Sequence, residues 1–218
     1  MLKKTGIILF AAFVAAFSSP AFAGSIEFSV NDGKSNPVAD AVVYAVPRDG
    51  APLSAPRKAV IDQVDKEFVG YVTPIEKGTA VSFPNHDKLR HHVYSFSEAK
   101  RFEIPLYTGT PANPVVFDKP GVVALGCNIH DWMSAYVFVS DTPHFSKASD
   151  AGRGRIENIP AGEYDVSVWH PKLKASSKPA SVRVKVTDDG ASKADLQVAL
   201  QNVWRAWRAP VASGNGYR

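Results

Sequence analysis

Residues 126–133 read "GCNIHDWM", and the donor atoms in this stretch are scarce elsewhere. Cys127 is the only cysteine of the chain, and Met133 is the only methionine besides Met1. His130 stands midway between them. The spacing C-x2-H-x2-M therefore offers a thiolate, an imidazole and a thioether on one tight loop. Sulfur donors select soft ions, and imidazole accepts harder ones. An ion that moves between a softer and a harder oxidation state suits the combination, and copper is such an ion. Two His and one Cys in a plane, with a long axial Met, is a known copper set for electron transfer. That set needs a second histidine from elsewhere. The segment "VSFPNHDKLRHHVYSF" supplies three candidates, His86, His91 and His92. In a strand, neighbouring side chains point to opposite faces, so His91 and His92 share one ion only across a bulge. A lone cysteine has a plainer fate as a small buried hydrophobe, and His86, His144 and His170 read as solvated or structural.

The elements that must hold these donors read as strands. "SIEFSV" (25–30), "DAVVYAV" (40–46), "TAVSFPN" (79–85) and "HHVYSFS" (91–97) are short, partly alternating and rich in β-branched and aromatic residues. "GVVALGC" leads into the Cys–His–Met loop and "MSAYVFV" leads out of it. "EYDVSVWH" and "SVRVKV" follow in the same style. Turn formers such as "NDGKSNP", "TGTPANP" and "IPAG" separate them. No sustained helical period is present, and 16 prolines interrupt most candidates. The fold class expected is all-β, built from β-sandwiches.

The first residues carry a different signal. Lys3 and Lys4 precede an apolar run from Gly6 to Phe17, and "SSPAFA" ends in Ala21-Phe22-Ala23. This reads as a secretory signal peptide over 1–23, cleaved after Ala23, because the apolar run is too short to span a bilayer. The expected location is a bacterial periplasm, with no transmembrane segment in the mature chain. Without Lys3 and Lys4, the 25 basic residues fall to 23 against 21 acidic ones. That balance does not argue for nucleic acid or a strongly charged partner, and no nucleic acid is expected. An oxidising compartment also makes a free exposed thiol a liability, so Cys127 is expected to be buried or occupied.

Two resemblances organise the chain. "EFVGYVTPIEKGTAVSFPN" (67–85), "RHHV" (90–93) and "FDKPGVVALGCNIHDWM" (117–133) together resemble the cupredoxins, plastocyanin and amicyanin among them. The resemblance implies a Greek-key β-sandwich over 56–140 and one type 1 copper ion. The ligands it implies are His91, Cys127, His130 and Met133. It also implies that His130 is the electron port, with Ile129 and Trp132 as candidate rim residues. Three departures stand out. His92 replaces the usual asparagine after the first ligand, Ser95 replaces an aromatic with Phe96 one place late, and Asn128-Ile129 replaces Thr-Pro. The opening "SVNDGKSNPVADAVVYAV" and the later "GRGRIENIPAGEYDVSVWHP" resemble a small transthyretin-like or carboxypeptidase-regulatory-like β-sandwich. Its first strands are expected in 24–55 and its remainder in 141–200, followed by a C-terminal tail over 201–218. Whether the copper unit is inserted into this sandwich or stands in series with it is left open. The chain as a whole also looks like exported proteins of the methylamine utilisation kind.

Four protein ligands leave no open position for substrate, so the reading is a one-electron carrier and not an enzyme. A single cysteine excludes a cysteine-bridged binuclear centre and C-x-x-C-H haem attachment. The expected partners are a redox donor and acceptor, with a dehydrogenase and a c-type cytochrome as the classes considered. Two other readings stand beside it. One is a copper carrier without electron transfer, and the other is a β-sandwich adaptor with structural copper.

Overall fold

The computed structural model describes residues 23–50, 57–173, 179–188 and 190–202. The signal peptide expected over 1–23, apart from Ala23, and the tail with Trp204 and Trp207 lie outside the described residues. Every regular element among those described is a strand. The chain opens with β1 (Gly24–Asp32) and β2 (Val42–Pro47). Next come β3 (Lys58–Val60), β4 (Gln63–Val64), β5 (Glu67–Phe68), β6 (Val72–Glu76) and β7 (Thr79–Ser82). They are followed by β8 (His91–Ser97), β9 (Lys100–Tyr107), β10 (Val115–Phe117), β11 (Gly121–Gly126) and β12 (Ser134–Ser140). The last are β13 (Phe145–Lys147), β14 (Arg153–Ile159), β15 (Gly162–Trp169), β16 (Ser181–Val186) and β17 (Ala191–Val198). The protein is all-β.

Alternation decides which face of each strand is buried. In β1, Ile26, Phe28 and Val30 point inward; in β15, Tyr164, Val166 and Val168 do. They meet between a sheet of order β14-β1-β17 and one of order β13-β2-β15-β16. β1 pairs antiparallel with β14 and parallel with β17, while β2 pairs with β13 and β15. This first sandwich is therefore made of the two opening strands and the five closing ones, with β3–β12 between them in the chain.

β3–β12 form a second sandwich. Its sheets have the orders β10-β7-β3 and β6-β12-β11-β8-β9, with β4–β5 as a separate hairpin. Val81, Phe83, Val93, Phe117, Val123 and Val137 fill its core. The outer faces of the two sandwiches then close on each other. Val42, Tyr44, Phe145 and Trp169 on one side meet Val72, Val122, Tyr136 and Phe138 on the other. Phe138 stacks on Trp169 with ring centroids 5.3 Å apart, and lies 5.2 Å from Tyr44. β12, which leaves the Cys–His–Met loop, is thus packed on both faces.

His170 follows β15 and is buried. Its Nδ1 accepts the Lys172 amide at 3.1 Å, and burial pushes its pKa down to about 4. The ordinary value is near 6.5, so between about pH 6.5 and 4 the unfolded chain binds a proton that the native chain refuses. Stability from this group is present above that window and lost as pH falls through it. In urea unfolding, the stability gap between the wild type and His170→Gln is expected to narrow by about 3 kcal/mol from pH 7 to pH 4.

Candidate metal centre

The loop after β11 begins under an aromatic ring. A Cβ on Gly126 would stand 2.7 Å from Tyr94 Cζ, so a side chain here would push the Tyr94 ring off the strand just before Cys127. Cys127 follows, buried. Asn128 and Ile129 turn outward, His130 comes back in, and the Met133 amide donates to the His130 carbonyl at 2.9 Å. Met133 is buried in the same core as Cys127. Two consecutive turns thus return three donor residues to one end of the sandwich.

β8 brings the fourth. One ligand atom from each of His91, Cys127 and His130 lies within 4.8 Å of the others, and all three residues are buried. Cys127 Sγ stands 3.9 Å from His130 Nδ1, and the two imidazole centroids are 5.0 Å apart. Among the described residues this is the group able to hold a metal through His, Cys or carboxylate atoms.

His91 and His92 are both buried, and the β8–β9 register is irregular between His91 and Val93. Their partners separate them. His92 Nε2 meets Glu103 Oε1 at 2.9 Å, and its ring lies 5.5 Å from Tyr94 on the outer face. His91 Nε2 meets Asp87 Oδ2 at 2.7 Å. The Nδ1 atoms of both rings are buried without a hydrogen-bond partner among the described residues. Only His91 has a thiol and another imidazole within reach. The remainder of β8 keeps strict alternation, so the departures noted in the sequence have a structural counterpart. Ser95 is buried at the aromatic's place, and Phe96, one residue later, is 75% exposed.

The electrostatics favour lone pairs over protons. Burial holds the His130 pKa below its ordinary value, reinforced by His91 and Lys66 and opposed by Asp87. The Asp87 carboxyl is also held low. Burial would raise it, but hydrogen bonds from His91, Lys66 and Asp65 outweigh that. At neutral pH, His130 is therefore a neutral imidazole and Asp87 an acceptor-only carboxylate.

Ile129 is 48% exposed, and Trp132 is half-buried with its ring 5.2 Å from that of His130. Trp132 Nε1 donates to the Lys66 carbonyl at 3.1 Å, which ties the loop to the β4–β5 turn. His86 is exposed and meets Asp62 at 2.9 Å, outside the cluster. His144 packs edge-on against Tyr164 in the first sandwich. Asp87 was not among the residues singled out from the sequence. Its only mark there is a place four residues before His91.

The donor set fits a transition-metal ion. Bonds of about 2.0 Å to imidazole nitrogen and about 2.3 Å to thiolate sulfur hold such donors about 3.5–3.8 Å apart. The Sγ–Nδ1 separation of 3.9 Å falls just beyond that span.

No protein-family model matches the chain, and no curated protein matches it. Solved structures resemble it in part. A copper-containing nitrite reductase (NirK) from Thermus scotoductus SA-01 is 25% identical over 44% of this chain and 25% of that one, with a TM-score of 0.36. The chain thus spans about a quarter of that enzyme's length. A purple cupredoxin from Nitrosopumilus maritimus is 23% identical over 38% of this chain and 99% of that one, at a TM-score of 0.33. The reduced Cu(I) form of a mutant amicyanin is 17% identical over 44% and 99%, at 0.35.

Proposed function

We propose that the chain binds one copper ion through His91, Cys127 and His130, with Met133 as a weak axial donor, and carries single electrons between periplasmic redox partners. The observation that carries this reading is the state of His91. Its Nε2 is committed to a carboxylate, so its Nδ1 is a buried lone pair with no partner among the described residues, in a ring beside a thiol and a second imidazole. Leaving a polar atom unmet in a dry site is costly, and an ion there would satisfy it.

Bound copper would supply a one-electron couple. The chain's own residues supply what such a couple needs, which is donors that do not move and an edge that a partner can reach. Cys127, His130 and Met133 are held by two turns between paired strands, and His91 by β8. A rigid frame keeps reorganisation small when charge changes. Val93, Leu125 and Ala135 belong to the core in which Cys127 and Met133 are buried. His130, at 9% exposed, is the ligand nearest solvent, beside the protruding Ile129. Ile129 offers a small apolar contact there, flanked by the exposed Asn128 and Asp131, of a size suited to brief docking. By this reading the partners are a donor and an acceptor such as a dehydrogenase and a c-type cytochrome, and the chain is a carrier, not an enzyme.

The test is redox cycling of the copper-loaded mature chain in a voltammetric cell. Repeated reduction and reoxidation with the ion retained, one electron per chain, is the expected result. Loss of copper on each reduction would overturn the carrier-of-electrons reading in favour of metal delivery.

A further inference from the structure

We infer that Asp87 is the positioning residue of this centre: it fixes the tautomer and orientation of His91, and is itself held by the left-handed turn at Asp65–Lys66. The copper arm of the test rests on the function proposed above; the metal-free arm does not.

An ionised carboxylate can only accept hydrogen bonds. Asp87 accepts three. The Asp65 amide donates to Oδ1 at 2.8 Å, the Lys66 amide to Oδ2 at 2.8 Å, and His91 Nε2 to Oδ2 at 2.7 Å. Because the acceptor has no proton to offer, His91 must carry its own on Nε2, which leaves Nδ1 as the lone-pair atom. An imidazole without this neighbour could place its proton on either nitrogen. With the proton on Nδ1, that nitrogen would be closed to an ion.

The carboxylate is itself held. Its own amide donates to Asn85 Oδ1 at 2.9 Å, and Asn85 Nδ2 donates to the carbonyls of Leu89 and Tyr107, both at 2.9 Å. The 85–91 segment is therefore tied before β8 begins. On the other side, Asp65 and Lys66 have φ of 53° and 61°. Two successive left-handed residues make the two-residue hairpin turn that matches the twist of β4 and β5. Glycine or asparagine ordinarily fills such positions, and here neither is present. Both amides of this turn point at Asp87, and its Lys66 carbonyl takes Trp132 Nε1. The hairpin thus touches both halves of the site, His91 through Asp87 and the Cys–His–Met loop through Trp132. The Asp87 charge beside the far nitrogen also makes His91 a stronger donor and favours the more positive state of a bound ion.

The metal-free arm is nitrogen NMR of the imidazoles in the mature chain. The wild type should show His91 with its proton on Nε2, and Asp87→Ala should lose that preference. A wild-type His91 protonated on Nδ1, or an Asp87→Ala tautomer unchanged from wild type, overturns the inference. The copper arm uses Asp87→Asn, which keeps an oxygen for His91 and one turn amide but removes the charge. Its copper couple should shift at least tenfold toward the reduced state, about 59 mV for one electron. A couple equal to the wild type's would leave Asp87 a purely structural residue and also overturns the inference. If the wild type takes up no copper, the function proposed above fails and the tautomer alone decides. If Asp87→Ala does not fold, the wild-type tautomer and the Asp87→Asn couple decide.

Discussion

By the proposed function copper(II) turns the wild-type protein intensely blue, and Cys127→Ser is expected to abolish that absorption and to weaken copper binding more than about 100-fold. The colour of such a centre comes from charge transfer out of the thiolate, and no other cysteine can substitute. Serine is close to cysteine in size, so the buried site keeps its packing while a soft donor becomes a hard, protonated one. Loss of a supporting residue around a metal already costs about 10–100-fold in affinity, so a lost ligand should cost more. The measurement is an optical titration with copper(II) on the mature chain. In the same titration His91→Ala should lose the band and His92→Ala should keep it, because His91 and not His92 groups with Cys127 and His130. A blue Cys127→Ser protein would mean that the ion sits elsewhere.

The second large effect lies between the two sandwiches. Phe138 is 8% exposed, stacked on Trp169 and close to Tyr44, in a cluster that draws on both sheets. Phe138→Ala leaves a cavity that neither sheet can close alone, and truncations of this kind cost about 3–5 kcal/mol. Because the residue joins two cores with separate interiors, the loss should also uncouple them. Calorimetry should show one transition in the wild type and two in the variant. A single transition with stability lowered by less than about 1 kcal/mol would mean that the sandwiches stand independently of this contact.

The strands around the site were readable because they alternate over a buried face. In β8, Val93 and Ser95 point inward while Tyr94 and Phe96 point outward, and the aromatic content marked the segment. β9 gave no such signal. It is an edge strand whose inner face, with Phe102 and Ile104, is only partly buried, and it is interrupted by Pro105, which an edge tolerates and a central strand does not. β17 was obscured for a related reason. Its inward residues Ala194, Leu196 and Val198 alternate correctly, but alanine weakens the pattern beside charged neighbours. The all-β class survives such omissions because the remaining segments speak for it.

Within the site, the run from Cys127 to Met133 was legible because scarce donor types cluster in one short stretch. The histidine pair was harder. Adjacent residues in a strand oppose each other, and a register irregularity at this point weakens even that rule. Each ring has a carboxylate partner, Asp87 for His91 and Glu103 for His92, but only His91 groups with Cys127 and His130. Asp87 itself had no signature, since its role depends on a turn some twenty residues earlier in the chain. That turn lacks the glycine or asparagine that would have announced it. Contacts made between loops by backbone amides leave little trace in residue types.

The most direct measurement is electron paramagnetic resonance of the copper(II)-loaded mature wild type. Three donors from β8 and the 127–133 loop closing on one ion predict a single copper signal with the narrow parallel hyperfine splitting of a thiolate-bound centre, coupled to two imidazole nitrogens. A wide splitting of the ordinary tetragonal kind, with no thiolate character, would contradict it.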